Sequence, residues 1–565
     1  MQYYHGVVLL FLARGGVSSQ SPVSSCVPLN GIVEDGNGTT TTLNLDEIKA
    51  SMNTEIFNFS NPVVPTLAAC SSGLETPIAM RALLAIDSSV WSVASAFQPA
   101  PWLNIFGDKN TSDERRRCSG NTDDEEELFL LHYRVAEVYT FTHTALKAMP
   151  FCRAEIEPLM IARGHPLSFL EEGDDDSIDT STPWGLGRAY ANEIWDYLGA
   201  NDGWNADGSM GGREFNRVPF TGDFSMTDSA GNSWTPYTPR NSPHEARHSY
   251  VGCEFSMVHQ FTNFDKWQPL EESDGLGYVS TQEHVTPHIG STGRYFGFSS
   301  KEDEEAFSSR KVDGPDYLNR YDQVVRDVLD ESAMTADSPY KQFAVSFFDN
   351  KFTSLIPLKV AFFNRETTKE DYTETDFYQI TVEVQLAIYN GILLAWKEKI
   401  HHDRPRPPSM IRHLLGDELV EAYAGPDQGV QTMKASEWEP FIRTMPHSEY
   451  PSASACLCEG FARQIENFFG DDKIEPALQF PPGPPPAGLN ASLEFASWSE
   501  ISQVCGDSRV WGGMHFAGAV LAGAELCGGE NMAKSIHDSF ERLKAGDESA
   551  AIFKSDVGEL MVRPR

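Results

Sequence analysis

Three short segments gather the residues best able to hold and act on an anion. The first is 397–407 (KEKIHHDRPRP), a basic island in a chain with 81 Asp plus Glu against 44 Lys plus Arg. Lys397 and Arg404 stand seven residues apart, about two helical turns. A helix would project both from one face, with Pro405 ending it and restricting Arg404. Two fixed cations on one face suit a multiply charged oxyanion. Taken alone, a basic helix end offsetting the macrodipole is the plainer reading.

The second segment is Pro451-Ser452-Ala453-Ser454, which opens the apolar run ACLCEGFARQIENFF. Ser452 is placed to cap a helix, where free backbone N–H groups and a positive dipole end face an anion and small side chains let it approach. The third is Ser508-Arg509-Val510-Trp511-Gly512-Gly513-Met514-His515, ahead of FAGAVLAGAEL. It supplies another cation, a paired-glycine turn and an imidazole entering a helix. Each piece alone has an ordinary reading, as a cap or as a satisfied core residue.

Helices must position these segments, because the longest periodic stretches, 75–97, 127–149, 186–199, 377–402, 453–469 and 515–545, all follow the helical period and strand-like alternation is scarce. In 377–402, Ile380, Val384, Ala387, Ile388 and Leu394 recur near that period while Glu383, Gln385 and Asn390 interrupt it, which suits a bundle helix. Long irregular stretches are predicted at 200–350 and at 480–488 (FPPGPPPAG). The acidic runs at 123–127 and 171–176 read as solvated surface, since nothing around them has ligand-loop spacing. No internal repeat is evident. The expected fold is all-α, with helical bundles interrupted by long insertions. Residues 1–25 form a candidate signal segment, 26–350 an N-terminal helical region with long loops, and 351–565 a C-terminal bundle carrying the oxyanion site.

A formal charge of -37 argues against nucleic acid or an anionic membrane as partner. No uninterrupted apolar stretch of about 18 residues is present, so no bilayer-spanning segment is expected. Nine cysteines without CxxC spacing exclude zinc ribbons and thioredoxin-like redox sites. The run VVLLFLA at 7–13 and sequons at Asn37, Asn58, Asn110 and Asn490 lean towards a secreted, extracellular chain.

In this order, Lys-x6-Arg-Pro, Pro-Ser-x-x and Ser-Arg-x3-Gly-x-His, the segments resemble the signature of the vanadium haloperoxidases and the related acid phosphatases. The fixed positions span 397–515. Upstream, Trp267-Gln-Pro-Leu and Thr286-Pro-His-Ile-Gly look like the long insertion of the haloperoxidase members. The resemblance implies two four-helix-bundle cores and a vanadate cofactor bound axially to His515. Lys397, Arg404 and Arg509 would then neutralise its equatorial oxygens, and Ser452 and the N–H of Ala453 would add hydrogen bonds. Hydrogen peroxide, a halide ion and a small organic acceptor follow as partners, with Lys397 polarising the peroxide and vanadium(V) acting as a Lewis acid. A homodimer or higher homo-oligomer is also expected.

Two positions depart from the family pattern. Ser454 occupies the place of the family's acid–base histidine in the catalytic site, and a hydroxyl titrates too high to act as a base. His447 is the candidate substitute, with His401 and His402 behind it. This loss favours bromide or iodide over chloride, a bromoperoxidase-like preference, and weakens the acid phosphatase alternative, whose leaving group needs a proton. The aspartate four residues beyond the axial histidine is Ala519 here, so the imidazole needs another orienting partner. Two remoter readings are a non-catalytic phosphate-binding protein and a zinc peptidase through His244, Glu245 and His248. The non-helical flanks and the absence of a convincing third ligand count against the peptidase.

Overall fold

The computed structural model describes residues 63–72, 74–98, 102–107, 123–170, 178–180, 182–200, 237–243, 261–273, 278–287, 289–366, 372–425, 428–480 and 491–554. Short pieces at 32–34, 40–42, 44, 48, 226–227 and 233–234 complete it. The candidate signal segment, the sequons, the run 481–488 and the His244/Glu245/His248 motif lie outside these residues.

The protein is a helical-bundle structure. Its principal helices are α1 (Thr76–Ala96), α2 (Asp123–Ala148), α3 (Pro183–Trp195), α4 (Tyr321–Ala336), α5 (Pro339–Phe347) and α6 (Lys351–Glu366). In the second half come α7 (Glu374–His402), α8 (Pro407–Leu415), α9 (Ala453–Phe469), α10 (Trp498–Trp511), α11 (Ala517–Cys527) and α12 (Glu530–Lys544). The sheets are two-stranded hairpins, of which the longest are β1 (Leu419–Tyr423) with β2 (Val430–Lys434) and β3 (Lys473–Phe480) with β4 (Leu493–Ser497).

Helix α7 is the axle. At 29 residues it is about 43 Å long by the 1.5 Å rise per residue. It starts at a capping box in which the Thr373 hydroxyl and the Asp376 carboxylate exchange hydrogen bonds with each other's backbone N–H. It packs on α1, α9, α11 and α12, which leaves it buried on every side. The polar residues that interrupt its period are therefore paired inside the core. Glu383 accepts from Gln379 and Gln464, Gln385 donates to the Met80 carbonyl, and the Asn390 amide bonds both backbone groups of Phe296. An unpaired polar group here would cost about 1–3 kcal/mol, so these pairings fix the register of α7 against its neighbours.

One hydrophobic cluster runs from Leu67 to Phe553 and includes residues of α1, α7, α9, α10 and α12. Helix α1 is long and apolar enough to cross a membrane, but 94% of its apolar window is buried inside the protein, so it is a core helix. Arg81 within it donates to the Tyr389 hydroxyl and to the Leu198 carbonyl.

Two expectations are corrected. The single helix predicted over 515–545 is two helices, because Gly528 and Gly529, the latter at φ 126, break it. The stretch 200–350 is not irregular throughout, since α4, α5 and a shorter helix at Lys301–Ser308 fall within it. Among the described residues three disulfides, Cys70–Cys152, Cys456–Cys527 and Cys458–Cys505, join segments distant in sequence. The last two tie α9 to the segments on either side of His515.

Candidate oxyanion site

His515 stands between α10 and α11. The chain leaves α10 through Gly512 and Gly513, and Gly513 has φ 75 and a Cβ position that would meet the Trp438 ring at 2.8 Å. Only glycine suits that turn. Gly523 lets α11 close on the start of α9, because a Cβ there would sit 2.1 Å from the Ser452 carbonyl oxygen. Ser452 caps α9 as predicted, its hydroxyl accepting from the Ala455 N–H, and its own N–H donates to the Ala519 carbonyl. Helix starts and the histidine turn are thus pressed together by small residues.

The cations around His515 are Arg406, Lys399 and Arg509, all buried. Arg406 donates Nη1 to Nε2 of His515 at 3.0 Å and to the Met514 carbonyl at 2.9 Å. Its Nη2 lies 2.9 Å from Nδ1 of His447, and its Nε donates to the His447 carbonyl. Lys399 donates to the carbonyls of Ser448 and Glu449. Arg509 contacts the Ser508 hydroxyl, the Val345 carbonyl and the Asp349 carboxylate, the last at 3.5 Å. Lys351, also buried, lies close enough to Arg509 to be depressed by its charge.

This places the basic pair in a different register from the one the sequence suggests. Lys397 and Arg404 are outside the cluster: Lys397 donates to the Ser308 carbonyl, and Arg404 to the Asp265 carbonyl. Residues 397 and 399 are about 200° apart on a helix, so only one of them can face His515. The helix stops at His402, with Asp403 left-handed at φ 53, so Arg404 never shares a helix face with Lys397. Lys399 and Arg406 are also seven residues apart and Pro407 follows, so the same motif fits twice. His401 and His402 do not reach the cluster; His402 bonds the Val312 carbonyl and Glu398. Ser454 sits in the first turn of α9.

Glu449 and Tyr317 have no counterpart in the sequence reading. Glu449, fully buried, accepts from His515 Nδ1 at 3.0 Å, from the Phe516 N–H at 3.0 Å and from the Tyr317 hydroxyl at 2.6 Å. The only sequence signal for Glu449 is its nearness to Pro451-Ser452, and Tyr317 has none.

The electrostatics are lopsided. Burial pushes Lys399 well below its ordinary range, with Arg406 adding to the shift. Burial lowers Arg406 to about 10. Burial, then the charges of Arg406 and Lys399, hold His515 and His447 well below the usual imidazole range, and the guanidinium N–H aimed at His515 Nε2 requires a lone pair there. Glu449 rises to about 7 through burial, against the lowering effect of Tyr317, Arg406 and Lys399. Four buried cations therefore face two carboxylates, Glu449 and Asp349, one of them raised. The excess positive charge and a neutral imidazole fit a multiply charged oxyanion and a metal–nitrogen bond. Among the described residues, no cluster of His, Cys, Asp and Glu has the makings of a conventional metal centre.

His447 lies under the Trp396 ring, 4.9 Å between centroids. Behind it His284 accepts from the Ser448 N–H and meets the Tyr237 and Trp267 rings.

Fold and cluster together define a helical-bundle protein with a buried cationic cluster around His515. Residues 379–546 match the family model described as the VCPO second helical-bundle domain. Solved structures of the same fold include an apo-type bacterial vanadium-dependent chloroperoxidase, at 20% identity and a TM-score of 0.63 over 82% of this chain and 94% of that one. Another is a bacterial vanadium-dependent iodoperoxidase, at 15% identity and a TM-score of 0.51 over 88% and 97%. No curated protein sequence matches the chain. Residues 379–546 are thus similar to the VCPO second helical-bundle domain, and the chain shares the fold of these two solved structures.

Proposed function

We propose that this protein is a vanadate-dependent haloperoxidase that uses hydrogen peroxide to oxidise bromide or iodide more readily than chloride, for transfer to a small organic acceptor. The observation that carries the reading is the buried His515 ring, its Nε2 facing the Arg406 guanidinium within a cluster that also holds Lys399 and Arg509.

Lys399, Arg406 and Arg509 would hold the oxygens of vanadate, Ser452 and the Ala453 N–H would add hydrogen bonds, and Nε2 of His515 would be the nitrogen ligand. When bound, vanadium(V) supplies a Lewis acid that activates peroxide without changing its own oxidation state. The protein's share is preorganisation: cations already desolvated and fixed by carbonyls need no rearrangement to meet developing negative charge. An oxyanion that takes the Arg406 donors would free two imidazole nitrogens, His515 Nε2 to hold the group and His447 Nδ1 for proton transfer. His447 is therefore the acid–base residue in place of Ser454. The three disulfides support an oxidising, extracellular setting.

The test is halogenation of a phenolic dye with peroxide and each halide after incubation with orthovanadate, beside phosphate-ester hydrolysis without it. Vanadate-dependent bromination and iodination that vanish in His515→Ala are expected. Phosphate release that depends on His515, without halogenation, would put the protein on the phosphatase branch instead.

A further inference from the structure

We propose that Glu449, backed by Tyr317, is the positioning carboxylate that decides which nitrogen of His515 is free, taking the place left by Ala519. The proposal rests on the reading of His515 as the axial ligand and deepens it.

The two ring contacts of His515 settle its tautomer by elimination. A guanidinium has donors and no acceptor, so the Arg406 contact to Nε2 requires a lone pair there. With Nε2 bare, the ring's proton is on Nδ1, which faces Oε1 of Glu449 at 3.0 Å. Oε1 also takes the Phe516 N–H, and Oε2 takes the Tyr317 hydroxyl. Three donors thus fix one carboxylate. Its backbone is held too, since the Glu449 N–H donates to the Arg404 carbonyl and its carbonyl accepts from Lys399. A ligating imidazole whose second nitrogen donates to an anchored carboxylate is oriented and made more basic.

The position is unexpected because Glu449 precedes the Ser452 cap by three residues, whereas the family's aspartate follows the histidine. Residue 519 offers only a buried methyl group and a carbonyl bound by Ser452. The carboxylate is instead on the segment that also carries His447.

The experiment is nitrogen-15 NMR of histidine-labelled protein, with His515 signals assigned by difference from His515→Gln, alongside titrations with inorganic phosphate and with orthovanadate. Wild type should show a neutral His515 protonated at Nδ1. Glu449→Ala should lose that tautomer preference and weaken phosphate binding by roughly 10- to 100-fold. Glu449→Gln should keep both, because its amide oxygen accepts the same Nδ1–H; a merely stabilising charge pair would not be rescued this way. Tyr317→Phe should weaken binding by about threefold, less than Glu449→Ala because one donor of three is lost. It decides the matter if Glu449→Ala does not fold. A wild-type proton on Nε2, or an unchanged tautomer and affinity in folded Glu449→Ala, would overturn the proposal. Tautomer loss in Glu449→Ala with no orthovanadate binding in wild type would support the positioning role and contradict the vanadate reading.

Discussion

Arg406 Nη1 lies 3.0 Å from Nε2 of His515, and the guanidinium reaches His447 Nδ1 with its other terminal nitrogen. One buried cation therefore occupies the acceptor sites of both imidazoles that the proposed chemistry needs. An arriving oxyanion competes for that guanidinium and, in winning it, exposes the two rings. Binding and activation are coupled through a single side chain.

Replacing Arg406 with Lys should weaken phosphate and orthovanadate binding by at least tenfold, because a point charge cannot serve two rings and a bound oxyanion at once. Arg404→Lys should change affinity by less than about threefold, since Arg404 lies outside the cluster and its pairing with the exposed Asp265 is worth about 1 kcal/mol. Isothermal titration of the two variants compares the two registers of the motif directly.

His447→Ala should lower halide oxidation by roughly 100-fold or more, the usual share of positioned proton transfer, while phosphate affinity stays within a few fold. Steady-state kinetics with bromide give the first quantity and titration the second. A fall in affinity with unchanged turnover would assign His447 to anion binding instead.

Glu383 and His537 give a pH dependence away from the site. Burial pulls the His537 ring down, but the hydrogen bond and charge of Glu383 outweigh it and leave the pKa raised. The pair's stabilisation, on the order of 1 kcal/mol, is therefore complete below the unfolded value of about 6.5. It is lost as pH rises through the folded value. Thermal melts across pH 5–9 should show wild type losing its advantage over His537→Ala towards the alkaline end.

Paired Cys458→Ser and Cys505→Ser substitution should cost about 2–5 kcal/mol, read as a lower denaturant midpoint. Because this disulfide ties α9 to α10, orthovanadate affinity should fall with it. Unchanged affinity in a destabilised protein would show that packing alone aligns Ser452 with Arg509.

Much of the site was legible because its parts are local. Ser452 at a helix start, Arg509 and the glycine turn into His515 announce themselves by neighbours in sequence. The register of the basic island was not, because α7 is buried all round and no apolar stripe tells the Lys397 side from the Lys399 side. Helix α10 was hidden by its Ser, Gln and Asp content; it is held by packing on α9 and by a Ser497 cap bonded to the Glu500 N–H. Gly528 and Gly529 are visible in sequence as breakers, yet the apolar period resumes after them and reads as one helix. Glu449 could not be foreseen, since it meets His515 across 66 residues. Its role exists only once α9 and α11 are docked.

Direct titration of orthovanadate into wild type, His515→Ala, Lys399→Ala and Lys397→Ala tests the central claim most closely. Tight binding by wild type and Lys397→Ala is expected, with losses of roughly 10-fold or more in Lys399→Ala and His515→Ala, each giving up a charge-assisted or axial contact. Equal affinity in wild type and His515→Ala would contradict the account, because no axial ligand would then be at work.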